Sequence, residues 1–526
     1  MPDLDTDVLE AICGLIDDIH DLLSVSLTCS VVGRIAIRQL LRTHTIHLTS
    51  RKAIRDFRSF ILNQKPTRAH HIHSLVIPEI AWMSEYNILF DEVHHLMDIL
   101  DCAVNLDSLD MSLPNYRAES ARISLAFAGM SALRYLSLAD PGPYWAHHAL
   151  SALKSPLRTL CVGGGDKLTF APSSAAGRFF QMFSRFSSSS TLTTLHLDQI
   201  PIYDNSFLDF PQFRSIRSLT ITKPLPREPK LNALLHLFPS LDGTLCLRLD
   251  FSAGMRLFNN FRLSEIQEEN RRAQDVSQWT GLDRLDCDAS AAGILALRCP
   301  VRHFTIDSFD LPAIIGIQPQ NLVIAPIRLP FYLSSLGRFR SKTPAAGSYP
   351  THIVLIASWE SKEYVNARVL FEEPYSFRWD IAFEALLQTI SRFKNVTHAR
   401  LVFYCHRDGP HEHEMEDFIH EMRERASVSQ LAPPLQLLAP CPKLRYFSVT
   451  SAGRDDTQSS RRRWIHAGAW RVVHPGEGGL LGDGSGSELA LPMLEALSDY
   501  AARRVIEAED LGLPEEWERK LAACRM

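Results

Sequence analysis

Leu106-Asp107-Ser108-Leu109-Asp110-Met111, Leu133-Arg134-Tyr135-Leu136-Ser137-Leu138 and Leu192-Thr193-Thr194-Leu195-His196-Leu197 share one pattern, apolar-x-x-apolar-x-apolar. The alternation at the end of each copy is that of a short strand with one face turned inward. The pattern recurs as Ile72-Leu75-Ile77, Leu157-Leu160-Val162, Ile216-Leu219-Ile221, Leu245-Leu247-Leu249, Leu282-Leu285-Cys287 and Val301-Phe304-Ile306. Late copies are Val396-Ala399-Leu401 and Leu444-Phe447-Val449. Helix-like stretches such as Glu92 to Leu100 lie between copies. A strand–loop–helix unit of this size cannot close a core alone. Stacked copies can, giving a parallel sheet on one side and helices on the other.

From the first copy to Phe304 the central positions are on average about 29 residues apart, at the long end of leucine-rich repeat periods. The asparagine or cysteine that commonly satisfies the turn after such a strand is mostly missing. The tails read Leu113-Pro114-Asn115, Ala139-Asp140-Pro141 and Gly163-Gly164-Gly165. The array is therefore degenerate, and the same βα units would also serve an ordinary α/β domain. Between about 308 and 395 the pattern fades, with Thr351 to Ala357 still reading as a strand of the stack. The late copies resume after it.

Upstream, Asp5 or Thr6 can cap a helix that carries Val8, Leu9, Ile12, Leu15 and Ile16 on one face. A second helix runs through Leu22, Leu23, Val25, Ser26 and Cys29. A third runs through Ile35, Ala36, Ile37, Leu40 and Leu41. Three helices in roughly 40 residues bury their apolar stripes poorly on their own. Either the rest of the chain or a helical partner completes them.

The order of these residues resembles an F-box. Leu4, Val8, Leu9, Ile12, Leu15, Leu22, Leu23, Ser24, Ser26, Cys29, Arg34, Ile35 and Ala36 fall in step with the family pattern. Four positions depart from it: Asp5 replaces a proline, Ser30 a lysine, Val32 a tryptophan and Gly33 a basic residue. With the repeats behind it, the chain resembles fungal F-box proteins with degenerate leucine-rich repeats. The resemblance implies an α/β solenoid: an N-terminal three-helix unit, a curved repeat array and a helical C-terminal cap. It implies docking on a Skp adaptor of a cullin-based ubiquitin ligase through Leu4, Val8, Leu9, Ile12, Leu15, Leu22, Leu23, Val25 and Ile35. A protein substrate of unknown identity would lie on the repeat surface, at positions such as Asp107, Ser108, Asp110, Thr193, Thr194 and His196. The alternative is a non-catalytic repeat scaffold whose decayed F-box no longer meets the adaptor.

The expected boundaries are 1–48 for the F-box-like unit, 49–69 for a linker helix, 70–455 for the array and 456–526 for a C-terminal loop and cap. In the last segment Asp455 to Arg463 reads as an exposed loop, and Trp464, Trp470, Val472 and Val473 as a cap strand. A glycine-rich loop follows from Gly476 to Gly486. Helices are expected over 487–507 and 514–523.

The chain has 526 residues, 45% hydrophobic and 22% charged, with a net charge of −5. That composition suits a large folded protein and gives no global electrostatic case for nucleic-acid binding. No apolar run is long enough to span a membrane, and no secretory signal is read at the N-terminus. The ten cysteines are scattered without a C-x-x-C pair, as expected for reduced thiols in cytosol or nucleus.

No catalytic residue, cofactor or metal is expected. His406, His411, His413 and His420 match no zinc spacing and read as the solvated start of an acidic helix. His70-His71-Ile72-His73 reads as turn and strand-edge histidines. Gly163-Gly164-Gly165-Asp166-Lys167 lacks the spacing of a phosphate loop, and Gly482 to Gly486 reads as a flexible loop. A hydrolase hidden among the βα units remains the third class of reading.

Overall fold

A computed structural model describes residues 5–63, 68–78, 90–112, 120–139, 143–163, 183–198, 202, 205–222, 230–248, 260–307, 317–328, 350–360, 379–407, 420, 431–457, 460–474 and 491–525. The chain is a mixed α/β protein that divides into two compact units, Met1–Trp279 and Thr280–Met526, each with a mostly parallel set of strands.

The first unit opens with α1 (Thr6–Gly14), α2 (Ile19–Ser26) and α3 (Ser30–Thr43), which lead into β1 (Ile46–His47) and α4 (Arg51–Leu62). Strand and helix then alternate: β2 (Ser74–Ile77), α5 (Phe90–Cys102), β3 (Ser108–Ser112), α6 (Ser120–Gly129), β4 (Tyr135–Ala139), α7 (Pro143–Ala152) and β5 (Thr159–Gly163). β6 (Thr194–Asp198), β7 (Ser218–Thr222), α8 (Leu231–Leu237), β8 (Thr244–Arg248) and α9 (Asn260–Val276) complete it. Strands β1 to β8 pair in chain order and in parallel. Parallel neighbours in chain order require each crossover to pass on the same side of the sheet.

The register shows why the apolar pattern builds this unit. Leu75, Leu109, Leu136, Leu160, Leu195, Leu219 and Leu245 stand opposite one another from strand to strand, and every one of them is fully buried. A second recurrence is in the backbone. At the starts of β3 to β7, two successive N–H groups donate to one carbonyl at the start of the strand before. Asp107 and Ser108 donate to His73 O, both at 3.0 Å, Arg134 and Tyr135 to Asp107 O, and Thr193 and Thr194 to Arg158 O. The copies are therefore equivalent in hydrogen bonding as well as in hydrophobicity.

Two expectations are corrected here. The copy expected to centre on Leu247 centres on Leu245, which is the residue opposite Leu219. Three residues, Asp242-Gly243-Thr244, separate Leu241 from Leu245 where two separate the equivalent pair elsewhere, so the pattern slips by one step. The linker expected over 49–69 is part of the array. Ile46 pairs with Leu75, and α4 packs on α5. Ser50 caps α4 by accepting from Ala53 N at 3.1 Å. Asp98 of α5 ties three helices together, accepting from Arg58 of α4 at 2.7 Å and pairing with Arg122 of α6.

Behind the strands, Phe213 lies between Phe183 and Phe238 at centroid distances of 6.0 and 5.9 Å, and all three are fully buried. Trp279 closes the row by donating its indole N–H to Phe238 O at 2.8 Å. Phe213→Ala should cost about 3–5 kcal/mol of unfolding free energy, because the cavity is lined by rigid aromatic neighbours that collapse poorly. Chemical denaturation monitored by circular dichroism checks this, with a loss under about 1 kcal/mol contradicting the packing described.

The second unit contains β9 (Leu282–Cys287), α10 (Ala289–Leu295), β10 (Val301–Ile306), β11 (Asn321–Arg328), β12 (His352–Glu360), α11 (Trp379–Ile390) and β13 (His398–Arg407). α12 (Leu435–Leu438), β14 (Tyr446–Thr457), β15 (Ser460–Val473), β16 (Met493–Ala496), α13 (Asp499–Ala508) and α14 (Glu515–Arg525) follow. β9 to β14 are parallel neighbours, whereas β15 and β16 turn antiparallel. Leu285, Phe304, Leu322, Ile353, Ala399 and Phe447 form a ladder like that of the first unit. The faded stretch thus holds two strands of the stack, β11 and β12. The sequence pattern marked only the second.

These strands are longer, and both faces are buried. Val354, Ile356, Val402, Tyr404 and Ala452 point away from the ladder and pack with Leu511, Leu513, Trp517, Leu521 and Cys524 of the C-terminal segment. The expected end cap is therefore a cover lying across a sheet face. The apolar side of an amphipathic helix and the second apolar row of the strands bury each other.

The loop expected over Asp455 to Arg463 is mostly strand. β14 continues to Thr457 and β15 starts at Ser460, with Asp455 opposite Arg462 and Asp456 opposite Arg461 in the backbone register. Gly453 permits this hairpin its packing, since a Cβ there would fall inside the Trp464 ring. The helix expected over 487–507 begins only at Asp499, after β16. Pro492 has no N–H for a helix interior, and Ser498 caps α13 by accepting from Ala501 N at 3.3 Å. His411, His413, Gly164 to Lys167 and the glycine-rich loop from Gly476 to Gly486 lie outside the described residues.

Candidate docking site on the N-terminal helices

Each of the first two helices starts at an aspartate. Asp5 accepts from Asp7 N at 3.4 Å, and Asp18 accepts from His20 N at 2.7 Å and Asp21 N at 3.1 Å. Those two backbone N–H groups hold the Asp18 carboxyl below the usual carboxylate range. Chain polarity at α1 and α2 is thus set by capping residues visible in the sequence.

Cys13, Leu22, Ile35 and Ala36 form the small core of this unit, with Leu9, Ile16 and Val25 packed on its edge. Burial, and secondarily the nearby Glu10, raises the Cys13 thiol above its ordinary value, so it behaves as an apolar side chain. Arg38 of α3 donates to Glu10 of α1 at 2.6 Å across the unit, both side chains 38% exposed. Gly33 sets how closely α3 approaches α2. A Cβ there would lie 2.6 Å from Ser26 O. The basic residue of the F-box pattern does not fit at this position without separating the two helices. Gly33→Leu should therefore destabilise the α2–α3 contact by about 1–3 kcal/mol. Amide exchange confined to residues 19–43 is the readout, and unchanged exchange there would contradict it.

The small core leaves a second apolar face uncovered. Val8 (45% exposed), Ile12 (46%) and Leu15 (83%) follow one another along α1 at spacings of four and three residues. Ile19 (38%), Leu23 (45%) and the C-cap Leu27 (86%) follow one another along α2 at spacings of four, and Val31 (42%) lies at the start of α3. Both helices are therefore apolar on two sides. Exposed acidic residues, Asp5, Asp7, Asp17, Asp18 and Asp21, flank this strip. Elsewhere among the described residues, exposed large apolar side chains are sparser along the chain. An apolar strip with a polar rim is the signature of a protein contact.

The nine residues expected to meet an adaptor thus separate. Val8, Ile12, Leu15 and Leu23 are exposed on the strip, and Leu9 and Val25 are half-buried at the core edge. Leu22 and Ile35 lie inside the unit, 0% and 4% exposed, where they hold it together. Leu4 lies outside the described residues. Ile19, Leu27 and Val31 were missed, although their spacing relative to Leu23 was a visible signal.

A second surface is the half-exposed row between the buried ladders of the first unit. Asp110, Ser137, Cys161, His196 and Thr220 stand in register across β3 to β7. Asp107, Ser108, Asp110, Thr194 and His196 are half-buried on or beside this face and Thr193 is exposed. Its side chains are chemically quiet. Burial pushes the Cys161 thiol up to about 11 and Tyr135, its partner at 3.8 Å, up to about 12. Burial moves the neighbouring His196 down. Cysteine and histidine are each held neutral, the opposite of the thiolate–imidazolium pairing that activates a nucleophile.

All ten cysteines are free. Among the described residues no helix is long and apolar enough to cross a membrane. No protein-family model and no curated protein matches the chain.

Proposed function

We propose that this protein is the substrate-recognition subunit of an SCF-type ubiquitin ligase. A Skp adaptor covers the strip formed by Val8, Ile12, Leu15, Ile19, Leu23, Leu27 and Val31. A protein substrate binds the half-exposed strand face of the first unit, and the C-terminal segment occupies the corresponding face of the second. On this reading the helical unit is F-box-like and the strand–helix copies are degenerate leucine-rich repeats. The chain does no chemistry of its own. It holds a target lysine near a ubiquitin-loaded enzyme, and the gain is one of effective concentration.

The observation that carries this reading is the uncovered apolar strip on helices already folded around their own core. Such a surface is stable without a partner and yet suited to one. The scaffold alternative draws on Gly33 and Val32. The first excludes a basic side chain by close approach, and the second is a half-buried valine where the resemblance calls for a tryptophan anchor. Co-purification of the full chain with a Skp adaptor separates the two. Capture at micromolar concentration supports the ligase subunit, and its absence supports the scaffold.

A further inference from the structure

The strands β12 and β13 begin with the same dipeptide, Thr351-His352 and Thr397-His398, at the same register. They occupy the repeat position at which two successive N–H groups share one carbonyl. Thr351 and His352 donate to Gln320 O, and Thr397 and His398 donate to Thr351 O. Equivalent backbones present equivalent side chains, so the two imidazoles lie parallel with centroids 4.7 Å apart. Glu509, just past α13, comes down on this pair, its Oε2 3.0 Å from His352 Nε2. Among the described residues, His352, His398 and Glu509 are the set whose potential ligand atoms all lie within 4.8 Å of one another.

The hydrogen bonding of the rings decides what they can do. His352 Nδ1 is 2.8 Å from Thr351 Oγ1, and His398 Nδ1 is 2.9 Å from Thr397 Oγ1. Each hydroxyl also has a carbonyl acceptor, Gln320 O at 3.4 Å and Thr351 O at 3.1 Å respectively. With the one hydroxyl hydrogen placed there, Oγ1 accepts from Nδ1–H, and a neutral imidazole carries a bare lone pair on Nε2. Two such nitrogens and a carboxylate oxygen then face one another, acceptors with no donor among them. In that tautomer a metal ion joins all three groups; in the other, the threonine hydroxyl donates to Nδ1 and the His352 Nε2–H donates to Glu509.

The second histidine favours the ion. A proton on His352 would satisfy Glu509 and leave His398 without a role. Threonine hydroxyls at both Nδ1 atoms are the outer partners that fix tautomer and orientation in histidine metal sites. We propose that His352 Nε2, His398 Nε2 and the Glu509 carboxylate bind a divalent transition ion of the zinc class. Two imidazoles and one carboxylate suit this class, and the 41% exposed Glu509 side leaves room for water as a further ligand. Loading tilts the rings out of their parallel stack. The ion clamps the C-terminal segment to two strands of the second unit.

The test is calorimetric titration of Zn²⁺ into the full, metal-stripped chain, beside Glu509→Gln, His398→Ala and His352→Ala, with Co²⁺ absorption as a second probe. Wild-type protein should bind one Zn²⁺ equivalent that each variant binds at least about tenfold more weakly. The Co²⁺ d–d band should disappear in the same variants. Because glutamine is isosteric with glutamate and the Glu509 side chain is 41% exposed, the glutamine variant keeps the fold and remains informative if a histidine variant does not. Equal Zn²⁺ binding by wild type and Glu509→Gln would overturn the proposal. So would a metal-stripped wild-type protein that binds no Zn²⁺.

Discussion

Replacing Leu15, Leu23 and Leu27 together with aspartate should abolish Skp-adaptor capture while leaving the melting temperature of the chain within about 2 °C. The three side chains are 83%, 45% and 86% exposed, so their removal costs the fold little. In a complex they would sit on the contact, where a well-placed apolar anchor is worth about 2 kcal/mol or more. Losing even two anchors weakens binding roughly a thousandfold, and the added carboxylates sit beside Asp17, Asp18 and Asp21. Leu22→Asp is the instructive control. It changes the adjacent residue, but Leu22 is 0% exposed in the core of the unit. A charge there costs several kcal/mol and should melt residues 5–43. The pair separates contact from folding. Adaptor affinity that survives the triple substitution would place the contact elsewhere.

Trp517→Ala should destabilise the second unit by about 3–5 kcal/mol. Trp517 is 3% exposed and meets Tyr404 edge-on at 5.7 Å, with the Lys520 ammonium 4.1 Å from its ring centroid. Beneath α14, Arg400 donates to Leu511 O at 2.8 Å and lies 3.9 Å from Glu518. Burial lowers the Arg400 guanidinium, so the cation depends on those oxygens remaining in place. Loosening α14 therefore strips an apolar sheet face and strands a buried charge in one step. Urea unfolding followed by near-ultraviolet circular dichroism measures it. An effect below about 1 kcal/mol would mean that the C-terminal helices are an appendage and that the strand face of the second unit can be vacated for a ligand.

How much of this was legible depends on the range of each signal. The ladder residues Leu109, Leu136, Leu160 and Leu195 were readable because strand periodicity is local and the buried row repeats it. Leu245 was displaced by one inserted residue near Gly243, which a pattern cannot detect but a register must absorb. The second unit was harder. Its strands are buried on both faces, so β11 and β12 read as continuous apolar runs without alternation. The cover of α13 and α14 is a contact between segments more than a hundred residues apart, such as Arg400 with Leu511, and no local rule encodes it.

At the N-terminal site, helix periodicity identified apolar positions without saying which of two faces would be buried. Leu22 and Leu23 differ only by that. The triad of His352, His398 and Glu509 had one visible trace, the Thr-His dipeptide repeated at two strand starts. Its carboxylate arrives from the far end of the chain.

The central claim is that an adaptor covers the apolar strip of the N-terminal helices. Hydrogen exchange of the full chain with and without a purified Skp adaptor tests it directly. The account predicts protection concentrated in residues 6–31, including the amides of α1 and α2, with the strand face of the first unit unchanged. Unaltered exchange over residues 6–31 at saturating adaptor, or protection only elsewhere, would contradict it.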